Sequence, residues 1–184
     1  MFHNRPVRIW TVGHGTRSVE ELIAVLREAG VASVADVRTY PGSHRRPQFG
    51  QAPLRDAFAA AGIGYEHLRG LGGRRDPRPD SPHTALGVDP LRGYADHMAS
   101  EEFARDLERL ERIARSTPTA FLCAETLWAG CHRRVLSDLL TVRGWEVVHL
   151  LASGKSEPHS LWDVARVVDG RLVYDGGALP LRPE

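Results

Sequence analysis

A chain of 184 residues with net charge +1, 42% apolar and 26% charged residues, has ordinary globular composition and enough length for one substantial core. Its two cysteines exclude a disulfide scaffold, and no apolar run nears the roughly 18 residues of a membrane helix. The stretch Met1–Trp10 lacks the long apolar segment of a signal peptide, so the expectation is a cytoplasmic chain with reduced thiols.

Apolar, β-branched runs alternate with segments of helical period. Val7–Val12 reads as a first strand, and Ser18-Val-Glu-Glu21 as a capping box opening a helix with Leu22, Ile23, Val25 and Leu26, closed near Gly30. Ala32–Val37 is a second strand, Pro53–Ala61 a short helix, and Ile63–His67 a brief third strand. Residues 68–92, rich in glycine and proline, read as a mobile loop or lid. Ser100 caps a helix carrying Phe103, Leu107, Leu110 and Ala114. The strand Thr119–Cys123, a helix from Cys131 and the strand Glu146–Leu150 follow. Asp163–Tyr174 alternates around Asp169-Gly170, the signal of a tight hairpin.

This order predicts a single α/β domain over 1–184: a mostly parallel, Rossmann-like sheet of about five strands flanked by helices, with a C-terminal hairpin and tail over 161–184. Ligands of such sheets bind beyond the carboxyl ends of the strands. Each predicted strand delivers polar residues there: His14 after the first, Asp36 and Arg38 at the second, and His67 and Arg69 after the third. Cys123, Glu125 and Cys131-His132-Arg133 follow the fourth. The fifth adds His149, then Ser153, Lys155, Glu157 and His159.

The densest chemistry lies in Cys123–Arg133, which holds both cysteines. Cys131 at a helix start beside Arg133 has a reason to ionise, whereas Cys123, ending an apolar strand, also suits a packing role. Glu125 fits a general base, a metal ligand or the ion-pair partner of Arg133 or Arg38. His14 sits in Gly-His-Gly, where backbone freedom and a near-neutral titration suit proton transfer or, equally, a hydrogen bond to a neighbouring strand. Arg38 and Arg133 could clamp an anion, with the backbone N–H groups of 131–133 completing a cradle. Structural zinc favours closely spaced cysteine or histidine pairs; Cys123 and Cys131 are eight apart, so no metal ligands are assigned. Charge is uneven: residues 38–79 hold eight arginines, Arg45 among them, against three acids.

Several stretches together resemble the family known as domain of unknown function 488. They are Thr11-Val-Gly-His14-Gly, Asp36-Val-Arg38, Pro41-Gly-Ser43-His-Arg45-Arg-Pro47-Gln-Phe49, Tyr65, Leu71-Gly-Gly73, Cys123-Ala-Glu125, Cys131-His132-Arg133 and His149. Gly15 stands where that family more often has serine, with Thr16 adjacent. The resemblance implies an α/β fold and a rim site, and brings no established reaction.

The leading expectation is an enzyme acting on a phosphate-bearing or other anionic small molecule, a nucleotide among them. His14, Cys131, Glu125 and Cys123 are the candidate catalytic residues. Arg38, His132, Arg133, Ser43, Arg45 and His149 are the candidate ligand-binding residues. Two alternatives stand beside it. One is a nucleic-acid-binding or processing module using the basic segment with Tyr40, Phe49 and Tyr65. The other is a metal-dependent hydrolase. No cofactor, membrane partner or oligomeric state is assigned.

Overall fold

Side chains alternate across a strand, so the apolar residues of these strands sort into two cores. Ile9, Val37, Phe121 and Val147 pack with Tyr94, Phe103, Leu110 and Leu136. Val12, Val34, Leu122 and Leu150 pack with Leu22, Leu26, Leu54 and Phe58. The outcome is one sheet with helices on both faces.

The computed structural model describes residues 7–42, 44–87 and 89–176. In chain order it runs β1 (Arg8–Gly13), α1 (Val19–Glu28), β2 (Ser33–Asp36), α2 (Gln51–Ala60), β3 (Gly64–His67), α3 (Asp89–His97) and α4 (Glu101–Ser116). It continues with β4 (Thr119–Cys123), α5 (Arg133–Val142), β5 (Glu146–Ala152), β6 (Lys155–Pro158), β7 (Ala165–Val168) and β8 (Arg171–Tyr174). The six-stranded sheet has the order β3-β2-β4-β1-β5-β6. Its first five members are parallel and β6 is antiparallel to β5. α1 and α2 cover one face; α3, α4 and α5 cover the other.

Local signals account for most boundaries. Ser18 and Glu21 form the expected reciprocal capping box, and Ser100 accepts from the Phe103 N–H. The β7–β8 hairpin turns on Asp169 and Gly170, both at positive φ (48° and 74°), as its tight turn requires. No helix among the described residues is long and apolar enough to cross a membrane.

Three features depart from the sequence reading. First, the chain reverses after β5 at Gly154, φ 64°, and β6 joins the sheet as an antiparallel edge. His159 is therefore carried back beside His149 rather than left at the rim. Polar β6, with its lysine and proline, had no strand signature, but an edge strand needs none. Second, residues 68–92 hold a short 3-10 turn at Arg69–Leu71 and the start of α3. They are anchored by the buried Leu71, His83 and Leu86, and the Tyr94 hydroxyl donates to the Leu71 carbonyl at 3.0 Å. Third, α5 begins at Arg133, so Cys131 sits in the preceding turn.

Asp138 of α5 fastens the C-terminal part of the chain to the sheet. Its carboxylate accepts from the Tyr174 hydroxyl at 2.8 Å, the Trp162 N–H at 3.0 Å and His159 Nε2 at 2.8 Å. Replacing Asp138 by Ala leaves these donors without their acceptor, at about 1–3 kcal/mol for each one that stays buried. The expected outcome in urea denaturation is a loss of about 3 kcal/mol or more. An unchanged midpoint would show that the hairpin is held by other contacts.

Candidate functional site

The parallel register brings the ends of three strands to one rim. Gly13 of β1 pairs with Cys123 of β4, and Asp36 of β2 pairs with Leu122. Beyond Cys123 the loop 124–130 swings out and returns Cys131 and His132 beneath it. A Cβ at Gly13 would collide with the Glu125 carbonyl, so glycine there lets the loop lie against β1.

The return places three soft or nitrogenous groups together. Cys131 Sγ lies 3.5 Å from Cys123 Sγ and 3.5 Å from His132 Nδ1, while Cys123 Sγ is 3.9 Å from that nitrogen. Both cysteines are free and buried. His132 Nε2 stands 3.0 Å from the Val37 carbonyl, which can only accept. The ring proton is thus on Nε2, and the Nδ1 lone pair faces both sulfurs. The two thiols titrate as a pair. The hydrogen bond with Cys123 and the nearby Arg133 guanidinium hold Cys131 well below its ordinary range against the opposing effect of burial. The same bond and burial push Cys123 up.

This cluster lines a cavity of about 320 Å³, with Arg38, Thr39, Tyr40, Arg74 and Glu125 also on its wall. Arg38 is committed to Asp36, with Nε donating to Oδ1 at 2.8 Å and NH2 to Oδ2 at 2.5 Å, and it also donates to the Phe49 carbonyl. Tyr65 adds a hydrogen bond to Asp36 at 2.7 Å. Arg74 differs. It is exposed at the cavity lip, at a positive φ of 60° that non-glycine residues seldom adopt, and has no ion-pair partner among the described residues. Tyr40, also on the wall, is 66% exposed. A second cavity of about 350 Å³, lined by Met98, Phe103, Leu107 and Leu172 among others, includes neither cysteine nor His132.

The candidate residues divide into three groups. Arg38, Cys123, Glu125, Cys131 and His132 share the first cavity. Glu125 makes no ion pair among the described residues; its backbone carbonyl accepts from Arg133 NH2 at 2.5 Å and its backbone N–H donates to Cys123. Arg133 and His149, each 1% exposed, belong to a buried network behind the cavity. There Arg133 NH1 donates to Thr11 Oγ1 at 3.2 Å, and Thr11 Oγ1 lies 3.1 Å from His149 Nδ1. His149 Nε2 is 2.9 Å from His159 Nδ1, and His159 reaches Asp138. Trp128 stacks on His149 at 3.9 Å and donates to Glu157 at 2.6 Å, pinning the loop from outside. His14 stacks on Phe49 at 4.2 Å, on the α1–α2 side of the sheet. Arg45 is exposed between β2 and α2, and Ser43 lies outside the described residues.

Sequence reasoning passed over Thr11, Asp138, Trp128 and Arg74. Thr11 had a legible signal, since it pairs in register with His149 across β1 and β5. Arg74 was legible only as one of the eight arginines of residues 38–79, because what distinguishes it from the others is a backbone angle.

Fold and site define a three-layer α/β protein with a sulfur- and imidazole-floored cavity at the carboxyl end of its sheet. The family model described as domain of unknown function DUF488 matches residues 18–140, and the chain belongs to that family. The match spans Asp36, Arg38 and the whole Cys123–Arg133 stretch, while His14 and His149 fall outside it. Neither a curated protein nor a solved structure matches the chain.

Burial, then His159 and Arg133, lower the His149 pKa from 6.5 to about 3, and burial and Arg38 lower His14 to about 4. Each histidine stays neutral when folded and takes a proton when unfolded. Their contribution is therefore complete above pH 6.5 and is lost as pH falls towards 4 and 3. The slope is about 1.4 kcal/mol per pH unit for each histidine. Urea denaturation at intervals below neutrality should show this fall, and His149→Gln should remove about one proton from the slope. An identical slope in that variant would contradict the buried neutral ring.

Proposed function

We propose that the chain is an enzyme acting on a phosphate-bearing or similarly anionic small molecule, with a nucleotide the best fit, bound in the Cys123–Cys131–His132 cavity. One observation carries the reading: a cluster capable of chemistry floors a cavity whose lip holds an arginine, without an ion-pair partner among the described residues, in a strained backbone conformation. Guanidinium groups match phosphate oxygens in charge and geometry. A backbone held at an unfavourable angle concentrates at sites of ligand contact. A volume of about 320 Å³ suits a small ligand. Tyr40 offers an exposed ring on the same wall, with the Arg69 guanidinium 5.3 Å from its centroid, and supports a base stacking there.

In this reading Arg74 supplies the charge that holds the anion. Arg38, saturated by Asp36, shapes the wall. Cys131, Cys123 and His132 carry the reactive chemistry, and Glu125 is the exposed carboxylate available for proton transfer. Arg133 and His149 hold the loop in place from behind. A cytoplasmic location belongs to the same proposal, because two free sulfurs 3.5 Å apart persist best in a reducing compartment.

Calorimetric titration with adenosine 5′-monophosphate, inorganic phosphate and adenosine tests the reading. The monophosphate should bind and adenosine should bind at least about tenfold more weakly, the equivalent of one charge-assisted contact of about 1.4 kcal/mol. Arg74→Ala should abolish that difference while leaving the denaturation midpoint unchanged. Equal binding of the charged and neutral ligands, or full affinity in Arg74→Ala, would overturn the assignment. Tight, strongly salt-dependent binding of an oligonucleotide in place of the monophosphate would favour a nucleic-acid partner.

A further inference from the structure

We propose that Cys123, Cys131 and His132 form a three-ligand site for a zinc ion, with its fourth position open to the cavity. The inference deepens the functional reading and rests on it for the identity of what would occupy that fourth position.

The triangle of ligand atoms has the size a tetrahedral ion requires. Zinc–sulfur bonds of about 2.3 Å and zinc–nitrogen bonds of about 2.0–2.1 Å at tetrahedral angles imply edges of about 3.8 Å between sulfurs and about 3.6 Å between sulfur and nitrogen. The observed edges are 3.5 Å between the sulfurs and 3.5 Å and 3.9 Å to nitrogen. All three ligand atoms lie within 4.8 Å of one another, as one ion demands. The sulfur separation is far from a disulfide bond of about 2.05 Å.

Two independent features point the same way. The hydrogen bond from His132 Nε2 to the Val37 carbonyl fixes the tautomer that leaves Nδ1 free, and metal-bound histidines rely on such a bond from the other ring nitrogen. Gly73 is the second. A Cβ there would stand 2.7 Å from His132 Nδ1, so the absence of a side chain keeps the approach to that nitrogen clear. Gly73 also lines the cavity with all three ligands.

The donor set selects the ion. Two sulfurs and an imidazole suit zinc and repel magnesium and calcium, which demand oxygen. Three protein ligands with an open position are the pattern of catalytic rather than structural zinc. In that position the ion would hold a water or a phosphate oxygen of the anionic ligand, next to Glu125 and Arg74. The sequence spacing concealed this arrangement because the third ligand is the immediate neighbour of Cys131, brought round by the loop rather than by a paired motif.

The test uses full-length protein stripped with a chelator and then titrated with zinc against a chromophoric competitor. One equivalent should bind, and it should protect both thiols from a disulfide reagent. Cobalt in place of zinc should produce the sulfur-to-metal charge-transfer band of a tetrahedral thiolate site. His132→Gln and Cys131→Ser should each weaken binding by at least about 100-fold, the upper end of what losing a supporting hydrogen bond alone costs. Arg55→Ala, exposed on α2 away from the triangle and its supporting network, should bind as the unaltered protein does. Failure of the unaltered protein to bind one equivalent, or full affinity in His132→Gln, would overturn the proposal. Monophosphate binding to the zinc-free protein is measured separately: its survival with no zinc site leaves the functional reading standing alone. Zinc binding without any monophosphate binding removes that reading and keeps the metal site.

Discussion

Arg133 is fully buried at the start of α5 and has no carboxylate within ion-pair distance among the described residues. A guanidinium out of water demands donors' worth of acceptors and a balancing charge, or the fold loses several kcal/mol. The chain meets this at a distance. Asp138 accepts from His159 Nε2, so His159 Nδ1 bears the lone pair and accepts from His149 Nε2. His149 Nδ1 then accepts from the Thr11 hydroxyl, whose oxygen accepts from Arg133. Every donor and acceptor along this line has one consistent direction, from the cation to the carboxylate. A buried network running in one direction in this way rigidifies what it touches, with Arg133 Nε the one guanidinium nitrogen left without a hydrogen-bond partner among the described residues.

What it touches is the floor of the cavity. The other end of the guanidinium holds the Glu125 carbonyl, and Trp128 of the same loop lies flat on His149. The loop 124–130 is thereby fixed at both ends of its arc, between β4 and α5. Cys123 and Cys131 are brought within contact although seven residues lie between them. The site is preorganised by hydrogen bonds behind it, not by its own members. The cavity side remains free for ligand, apart from Arg38, which Asp36 and Tyr65 hold in place.

The layered fold was legible because its signals are local. Ser18 and Ser100 announced helices, Asp169-Gly170 announced a hairpin, and the apolar, β-branched runs Val7–Val12 and Ala32–Val37 announced strands. The rim rule gathered Arg38, Cys123, Glu125, Cys131 and His132, which line one cavity. It could not separate the two faces of the sheet, so His14 was grouped with them, nor see that His149, on the same face as Cys123, is tied into the buried Thr11–Arg133 network behind the cavity. Alternation sends Cys123 to the α5 side, while His14 packs on Phe49 on the other. Edge strand β6 and the angle at Arg74 depend on tertiary position, which leaves no mark in composition or period.

The account turns on whether the sulfur–imidazole cavity is where an anion meets the protein. A crystal structure grown with adenosine 5′-monophosphate tests this most directly. The expected result is phosphate density in the cavity, with the Arg74 guanidinium on its oxygens, the base against Tyr40, and Cys131 and His132 beneath. A monophosphate bound anywhere else on the chain, with this cavity holding only solvent, would contradict it.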